Sequence, residues 1–183
     1  MKSGQLYFIG LLPPPEIREE ITRLKEYFRE NFGITHALKS PPHITLAPPF
    51  NHDESNEKFL ISQLDQFSGN EPGFPVVLEN FGAFVPRVIY VDVVKNASLE
   101  NLYLRTTDML SAQLGFPPDK NAGRPYNPHV TVAFKDLLKQ QFREAWPEFS
   151  DKKIRYEFHA GGITLLKHSG KQWEILHTAA FKK

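Results

Sequence analysis

The chain has 183 residues, no cysteine and a formal charge of +1, with 22 lysines and arginines against 21 aspartates and glutamates. This length is enough for one domain with a sizeable core, and the near-neutral charge excludes a strongly basic surface of the kind that grips long nucleic-acid duplexes. The lack of cysteine excludes disulfides, a thiolate nucleophile and a cysteine-based zinc site. We therefore expect a single cytoplasmic domain spanning residues 1–183.

The first half of the chain alternates predicted strands and helices. Residues 5–12 form an apolar run, and the prolines at 13–15 that follow it argue for a strand rather than a secretion signal. Apolar residues at helical spacing, Ile17, Ile21 and Phe28 among them, then predict an amphipathic helix that ends at Gly33. The other predicted elements of this half are a strand at 43–47, a helix at 54–67 and a strand at about 74–84.

The second half repeats that order of elements. Its predicted elements are a strand at 88–94, a helix near 98–114, a strand at 129–134, a helix near 136–146 and strands near 153–166 and 172–181. The repeat predicts two lobes, roughly 1–86 and 87–183. No apolar run approaches the length of a membrane span, so no membrane association is expected.

A hexapeptide occurs twice, as PHITLA at residues 42–47 and as PHVTVA at 128–133. Because side chains alternate along a strand, His43 and Thr45 share one face, and His129 and Thr131 share the equivalent face of the second copy. The aliphatic residues between them anchor the other face. An α+β architecture follows, with two antiparallel sheets, helices outside, and a pseudo-two-fold axis that brings the two motif strands face to face across a cleft.

Two imidazoles and two hydroxyls suit phosphoester chemistry. One neutral imidazole takes a proton from attacking water, the other, protonated, gives one to the departing oxygen, and the hydroxyls bind the phosphate. A lone histidine on a strand would more often serve packing, but duplication in matched context favours function. A two-histidine metal site is the other alternative, and it lacks a third ligand at diagnostic spacing. We predict no metal and no cofactor.

The paired motifs resemble those of the two-histidine phosphoesterase superfamily, which includes 2′-5′ RNA ligase-like proteins and cyclic nucleotide phosphodiesterases. The resemblance implies a bilobal LigT-like fold and a phosphoric diester hydrolase that opens 2′,3′-cyclic phosphates. It also implies that His43 and His129 are the acid–base pair, with His129 as the base and His43 as the acid, and that Thr45 and Thr131 bind phosphate.

The sequence departs from the superfamily pattern at positions that concern the substrate. RNA-active members of that superfamily often carry arginine shortly after the second motif, where this chain has Phe134 and Lys135. The first motif runs into Pro48-Pro49-Phe50, which resembles a less characterised bacterial branch.

Four further residues are candidates for substrate binding. Lys39, Arg124 and Lys135 flank the motifs and can neutralise phosphate charge, and Tyr126 can stack on a base or bond a phosphate. The expected partners are RNA ends or small cyclic-phosphate nucleotides, and no obligate protein partner is evident. The alternative functions are a non-catalytic nucleotide-binding module and a 2′-5′ RNA ligase.

Overall fold

The structure, a computed structural model, describes residues 4–116 and 125–182. Its strands are β1 (Gln5–Leu11), β2 (Ile44–His52), β3 (Phe74–Phe84), β4 (Val88–Val93), β5 (His129–Ala133), β6 (Arg155–Ala160), β7 (Gly162–His168) and β8 (Trp173–Ala180). Its α-helices are α1 (Pro15–Phe32), α2 (Glu57–Ser68), α3 (Ala97–Leu114) and α4 (Lys139–Asp151), and a short 3₁₀ helix covers His36–Lys39. None of the described helices is both long and apolar enough to cross a lipid bilayer.

The strands form two four-stranded antiparallel sheets. The first sheet has the order β2-β1-β7-β8 and the second has the order β5-β4-β3-β6. The predicted α+β class with two antiparallel sheets is confirmed. Each motif strand, β2 or β5, is an edge strand of its own sheet.

The predicted division of the lobes at residue 86 does not match the two sheets. β3 lies before that boundary but pairs with β4 and β6, whereas β7 and β8 lie after it but extend the sheet of β1. Hydrophobic periodicity shows which residues of a strand are buried, but it does not reveal which sheet the strand joins. The division fails for that reason.

The predicted strand at about 153–166 is in fact two strands in two sheets. β6 ends the second sheet at Ala160, and β7 enters the first sheet at Gly162, with only Gly161 between them. A Cβ atom on Gly162 would lie 2.6 Å from the carbonyl oxygen of Ala179 on β8. Gly162 therefore permits the close approach of β7 to β8 at the residue where β7 begins.

The units that carry the motifs have matching topology. β1, α1 and β2 form one unit, and β4, α3 and β5 form the other. Each helix lies near the motif strand of the opposite unit, α1 beside β5 and α3 beside β2, and β2 and β5 also approach each other. The apolar residues of both sheets belong to one core, which includes Phe28, Ile44 and Val130. Each motif strand therefore lies close to the helix of the other unit and to the other motif strand.

The helices follow their apolar spacing. Ile17, Ile21 and Phe28 of α1 are buried, and Gly33 ends the helix in a left-handed conformation, with φ of 69°, while its N–H donates to the carbonyl of Arg29. The α4 helix extends past its expected end at 146 and continues through Pro147 to Asp151.

Candidate active site

The two hexapeptide copies place their polar residues on the cleft side of β2 and β5. The aliphatic residues of each copy are buried in the core, Ile44 and Leu46 in the first, Val130 and Val132 in the second. The motif histidines and threonines, His43, Thr45, His129 and Thr131, are half-buried. The expected alternation is confirmed at both copies.

Each motif imidazole is oriented by its own backbone. Nδ1 of His43 lies 2.7 Å from the carbonyl oxygen of Pro41, and Nδ1 of His129 lies 2.7 Å from the carbonyl oxygen of Asn127. A carbonyl oxygen can only accept, so Nδ1 is the protonated nitrogen in both rings. Nε2 of each ring is then the nitrogen that can exchange a proton with a bound molecule.

Burial lowers the pKa of both imidazoles. It lowers the pKa of His43 to about 4, with the hydrogen bond to Pro41 opposing it and the charges of Lys25 and His129 adding to it. Burial also lowers the pKa of His129, where the bond to Asn127 and the carboxylate of Asp92 oppose it. At neutral pH burial therefore favours the neutral form of both rings, and only at His129 does a carboxylate, that of Asp92, oppose this effect.

Aromatic side chains pack against each imidazole. The ring of Phe8 lies 4.5 Å from that of His43, between centroids, and Trp173 packs against Phe8 at 4.7 Å. The rings of Tyr90 and Phe84 lie 4.9 and 5.0 Å from His129. These contacts restrict ring rotation and exclude water from one side of each imidazole.

Two cavities adjoin at the motif residues. The His43-side cavity, about 580 Å³, is lined by His43, Thr45 and Thr131, by Phe8 and Trp173, and by several cationic residues. The His129-side cavity, about 470 Å³, is lined by His129, Thr45, Phe84, Tyr103 and Tyr126. Thr45 lines both cavities, so the two cavities adjoin at the first motif.

The candidate substrate-binding residues divide between the cavities. Lys39 and Lys135 line the His43-side cavity, and Tyr126 lines the His129-side cavity. The hydroxyl of Tyr126 donates to the carbonyl of Thr45 at 2.8 Å, and its ring stacks on Tyr103 with centroids 4.0 Å apart. Arg124 lies outside the described residues.

A buried lysine supports the segment that leads to His43. Lys25 of α1 is 2% exposed, and its Nζ donates to the carbonyls of Ala37 at 3.0 Å and Ser40 at 2.9 Å. Burial lowers the pKa of Lys25 to about 7. Its side chain therefore ties α1 to the backbone just before the first motif.

A family model described as the 2′-5′ RNA ligase superfamily matches residues 13–172. The chain belongs to that superfamily. A relative from Geobacillus kaustophilus (strain HTA426), named "Putative phosphoesterase GK0864", is 25% identical over 178 residues, which cover 94% of each chain. This superfamily member thus has relatives named as phosphoesterases over nearly its whole length.

Solved structures share the fold of this superfamily member. The crystal structure of TT0787 of Thermus thermophilus matches with a TM-score of 0.68 and 17% identity, covering 97% of this chain and 98% of that one. E. coli LigT complexed with NADP+ matches with a TM-score of 0.65 and 20% identity, covering 100% of both chains. The expected LigT-like fold is confirmed.

Sequence reasoning missed two parts of the site in this superfamily member. Lys25 could have been found, because it lies four residues after Ile21 and three before Phe28, on the buried face of α1. Lys171 and Trp173 gave no signal, because they reach the cavity only through the pairing of β7 with β1. Within residues 4–116 and 125–182, no group of three or more histidine, aspartate or glutamate side chains is placed to hold a metal ion.

Proposed function

We propose that this protein is a metal-independent cyclic phosphodiesterase that hydrolyses 2′,3′-cyclic phosphates of RNA ends or small nucleotides. The matched imidazole pair carries the proposal: each ring holds its Nδ1 proton on a backbone carbonyl two residues upstream, which leaves Nε2 for a substrate. Thr45 and Thr131 line the same cavity as His43 and supply hydroxyl donors for a phosphate.

The proposed reaction is an in-line displacement at phosphorus. A neutral imidazole removes a proton from water as the water oxygen attacks the phosphorus, and the bond from phosphorus to one ribose oxygen breaks. The imidazolium protonates that ribose oxygen, which gives a phosphomonoester. Threonine hydroxyls donate to the non-bridging oxygens as charge develops on them.

The pKa values favour a division of roles opposite to the one expected from the resemblance. The low pKa of His43, about 4, suits a base that is neutral in the free protein at pH 7. Burial lowers the pKa of His129 as well, but the carboxylate of Asp92 opposes that effect, so His129 suits the acid better than His43 does. We therefore assign His43 as the base and His129 as the acid.

The test is hydrolysis of a panel of 2′,3′-cyclic nucleotides in the presence of EDTA. Turnover should be detectable and should fall about 100-fold or more in His43→Ala and in His129→Ala. His159→Ala is a matched control, because His159 is exposed on β6, at the opposite edge of the second sheet from β5. Activity that persists in both motif variants, or that requires a divalent metal, contradicts the proposal.

RNA ligation is the second candidate, because the description of the superfamily names a 2′-5′ RNA ligase. Ligation differs in the nucleophile: the 5′-hydroxyl of a second fragment, in place of water, attacks the phosphorus, and the same bond from phosphorus to a ribose oxygen breaks. Incubation of a 5′-hydroxyl fragment with a 2′,3′-cyclic-phosphate fragment, followed by gel analysis, would show a joined product if this protein is a ligase.

A further inference from the structure

The His43-side cavity concentrates positive charge from three separate segments of the chain. Lys39 comes from the 3₁₀ helix, Lys135 from the segment after β5 and Lys171 from the β7–β8 hairpin. No aspartate or glutamate is among the described residues that line it. The whole chain has a formal charge of only +1, so this is a local concentration of cations.

The three lysines have no ion-pair partner among the described carboxylates. Lys167, on the strand that leads to the same hairpin, is in contrast neutralised by Glu54 and Glu57, each at 2.6 Å. Asp136 follows Lys135 in the chain, but one oxygen of its carboxylate accepts the backbone N–H groups of Thr35 and His36. None of the three charges is therefore neutralised by a described carboxylate, and Lys135 has the ring of Phe134 beside it, 5.7 Å from Nζ to the ring centroid.

The backbone at Lys135 provides a second, independent observation. Its φ is 58°, in the left-handed region that a Cβ atom disfavours and that glycine adopts without strain. Strained residues of this kind cluster at functional sites. Lys135 therefore combines a disfavoured backbone conformation with a place in the lining of the cavity.

His168 adds a ring N–H donor to the same cavity. Its Nδ1 accepts the N–H of Gly170 at 3.1 Å, so Nε2 is the nitrogen that carries a proton, and the ring of Trp173 packs against it at 4.9 Å between centroids. The His129-side cavity differs in character, because its described lining includes no lysine, arginine, aspartate or glutamate. Among the described residues, the cleft therefore has one side with three lysines and one aromatic side without lysine or arginine.

The positive charge of the three lysines in the His43-side cavity exceeds what one cyclic phosphate requires. That group carries a single negative charge, and the motif histidines and threonines already serve it. We propose that Lys39, Lys135, Lys171 and His168 form a subsite for a second, non-scissile phosphate of the substrate, which the 5′ oxygen of the ribose carries because the 2′ and 3′ oxygens belong to the cyclic phosphate. This inference rests on the proposed function and names its substrate class: a nucleoside 2′,3′-cyclic phosphate that carries a 5′-phosphoryl group.

The first experiment compares kcat/KM for adenosine 2′,3′-cyclic phosphate with that for its 5′-phosphorylated form. The 5′-phosphorylated form should be preferred by about ten-fold or more, as expected for charge-assisted hydrogen bonds. The ratio of the two kcat/KM values should fall toward one in a Lys135→Gln/Lys171→Gln double variant. It should persist in Lys153→Gln, which changes an exposed lysine just before β6. A wild-type ratio near one, or a ratio that the double variant keeps, overturns the inference.

A third substrate distinguishes the two sources of the 5′-phosphoryl group. A dinucleotide that ends in a 2′,3′-cyclic phosphate carries a phosphodiester there, as an RNA end does, whereas the 5′-phosphorylated mononucleotide carries a terminal phosphate. Preference for either substrate over the 5′-hydroxyl form supports the subsite. Equal kcat/KM for all three substrates overturns it.

Calorimetric titration with inorganic pyrophosphate separates this inference from the proposed function. If no substrate is turned over, the proposed function fails, but pyrophosphate binding still tests the subsite. Binding that weakens about ten-fold in the double variant and stays unchanged in Lys153→Gln supports the subsite. Equal affinity of wild type and double variant, with both folded by circular dichroism, overturns it.

Discussion

The hydroxyl of Tyr126 donates a hydrogen bond of 2.8 Å to the carbonyl oxygen of Thr45, and this bond joins the segment before the second motif to the strand of the first. Tyr126 also stacks on Tyr103 of α3, the helix that lies beside β2. Since Thr45 lines both cavities, the bond sets the position of one half of the site relative to the other.

We expect Tyr126→Phe to lower kcat several-fold and the free energy of unfolding by about 1 kcal/mol. The phenylalanine ring keeps the stacking on Tyr103 and loses only the hydrogen bond, so the motifs shift slightly and their alignment suffers. Steady-state kinetics on a 2′,3′-cyclic nucleotide and urea unfolding measure the two effects.

Tyr27→Phe is the control for this prediction. Tyr27 also donates a 2.8 Å hydrogen bond, to Glu148, and it lies on α1, outside both cavities. The loss of the hydrogen bond from Tyr27 to Glu148 should leave kcat unchanged. Equal kcat effects of the two substitutions would show that the bond from Tyr126 has no special role in alignment.

Strands and their buried faces could be predicted from the sequence where the alternation of apolar residues alone determines them. The strand predicted at about 74–84 is β3, Phe74–Phe84, and the expected faces of β2 and β5 are confirmed by the burial of Ile44 and Val130. Both results depend only on alternation within one strand, which local periodicity reports directly.

The parts that could not be predicted depend on pairing between distant segments. β7 pairs with β1 across more than 150 residues, for example Phe8 with Leu166, and this pairing brings the β7–β8 hairpin beside the first motif. Apolar alternation in β7 fits either sheet equally well. Of the three lysines that line the His43-side cavity, the sequence therefore indicated only Lys39 and Lys135, which flank the motifs.

Gly162→Ala should lower the free energy of unfolding by about 1–3 kcal/mol. The added Cβ would lie 2.6 Å from the carbonyl oxygen of Ala179, which is backbone and cannot move aside without disturbing the pairing of β7 with β8. Thermal unfolding measures the change. Gly161→Ala is the matched control, because no atom lies within 4 Å of its added Cβ, and it should change stability by less than about 0.5 kcal/mol.

Lys25 should make the stability of the protein depend on pH above neutrality. Its pKa is 10.5 in the unfolded chain and about 7 in the fold. Between these values the unfolded chain binds a proton that the folded protein does not, so the free energy of unfolding falls as the pH falls. The loss amounts to roughly 4 kcal/mol between pH 10 and pH 7, and the contribution is constant below pH 7.

Lys25→Met isolates that contribution. Urea unfolding of wild type and variant at several pH values between 7 and 10 gives the difference in their free energies of unfolding, in which the other titrating groups cancel. The stability of wild type relative to the variant should rise with pH across this window. A difference that is independent of pH would show that Lys25 is protonated in the fold throughout.

The assignment of His43 as the base and His129 as the acid predicts which of the two alanine variants regains activity on a substrate with a better leaving group. A phosphodiester with a p-nitrophenolate leaving group needs no proton from the protein, because that oxygen leaves as a stable anion. The loss of kcat in His129→Ala should therefore be at least about ten-fold smaller on this ester than on a 2′,3′-cyclic nucleotide. His43→Ala should lose activity equally on both substrates, since water still has to be deprotonated. The opposite pattern, with rescue of His43→Ala alone, would assign the acid to His43 and would mean that a bound phosphate raises its pKa well above the value of about 4 in the free protein.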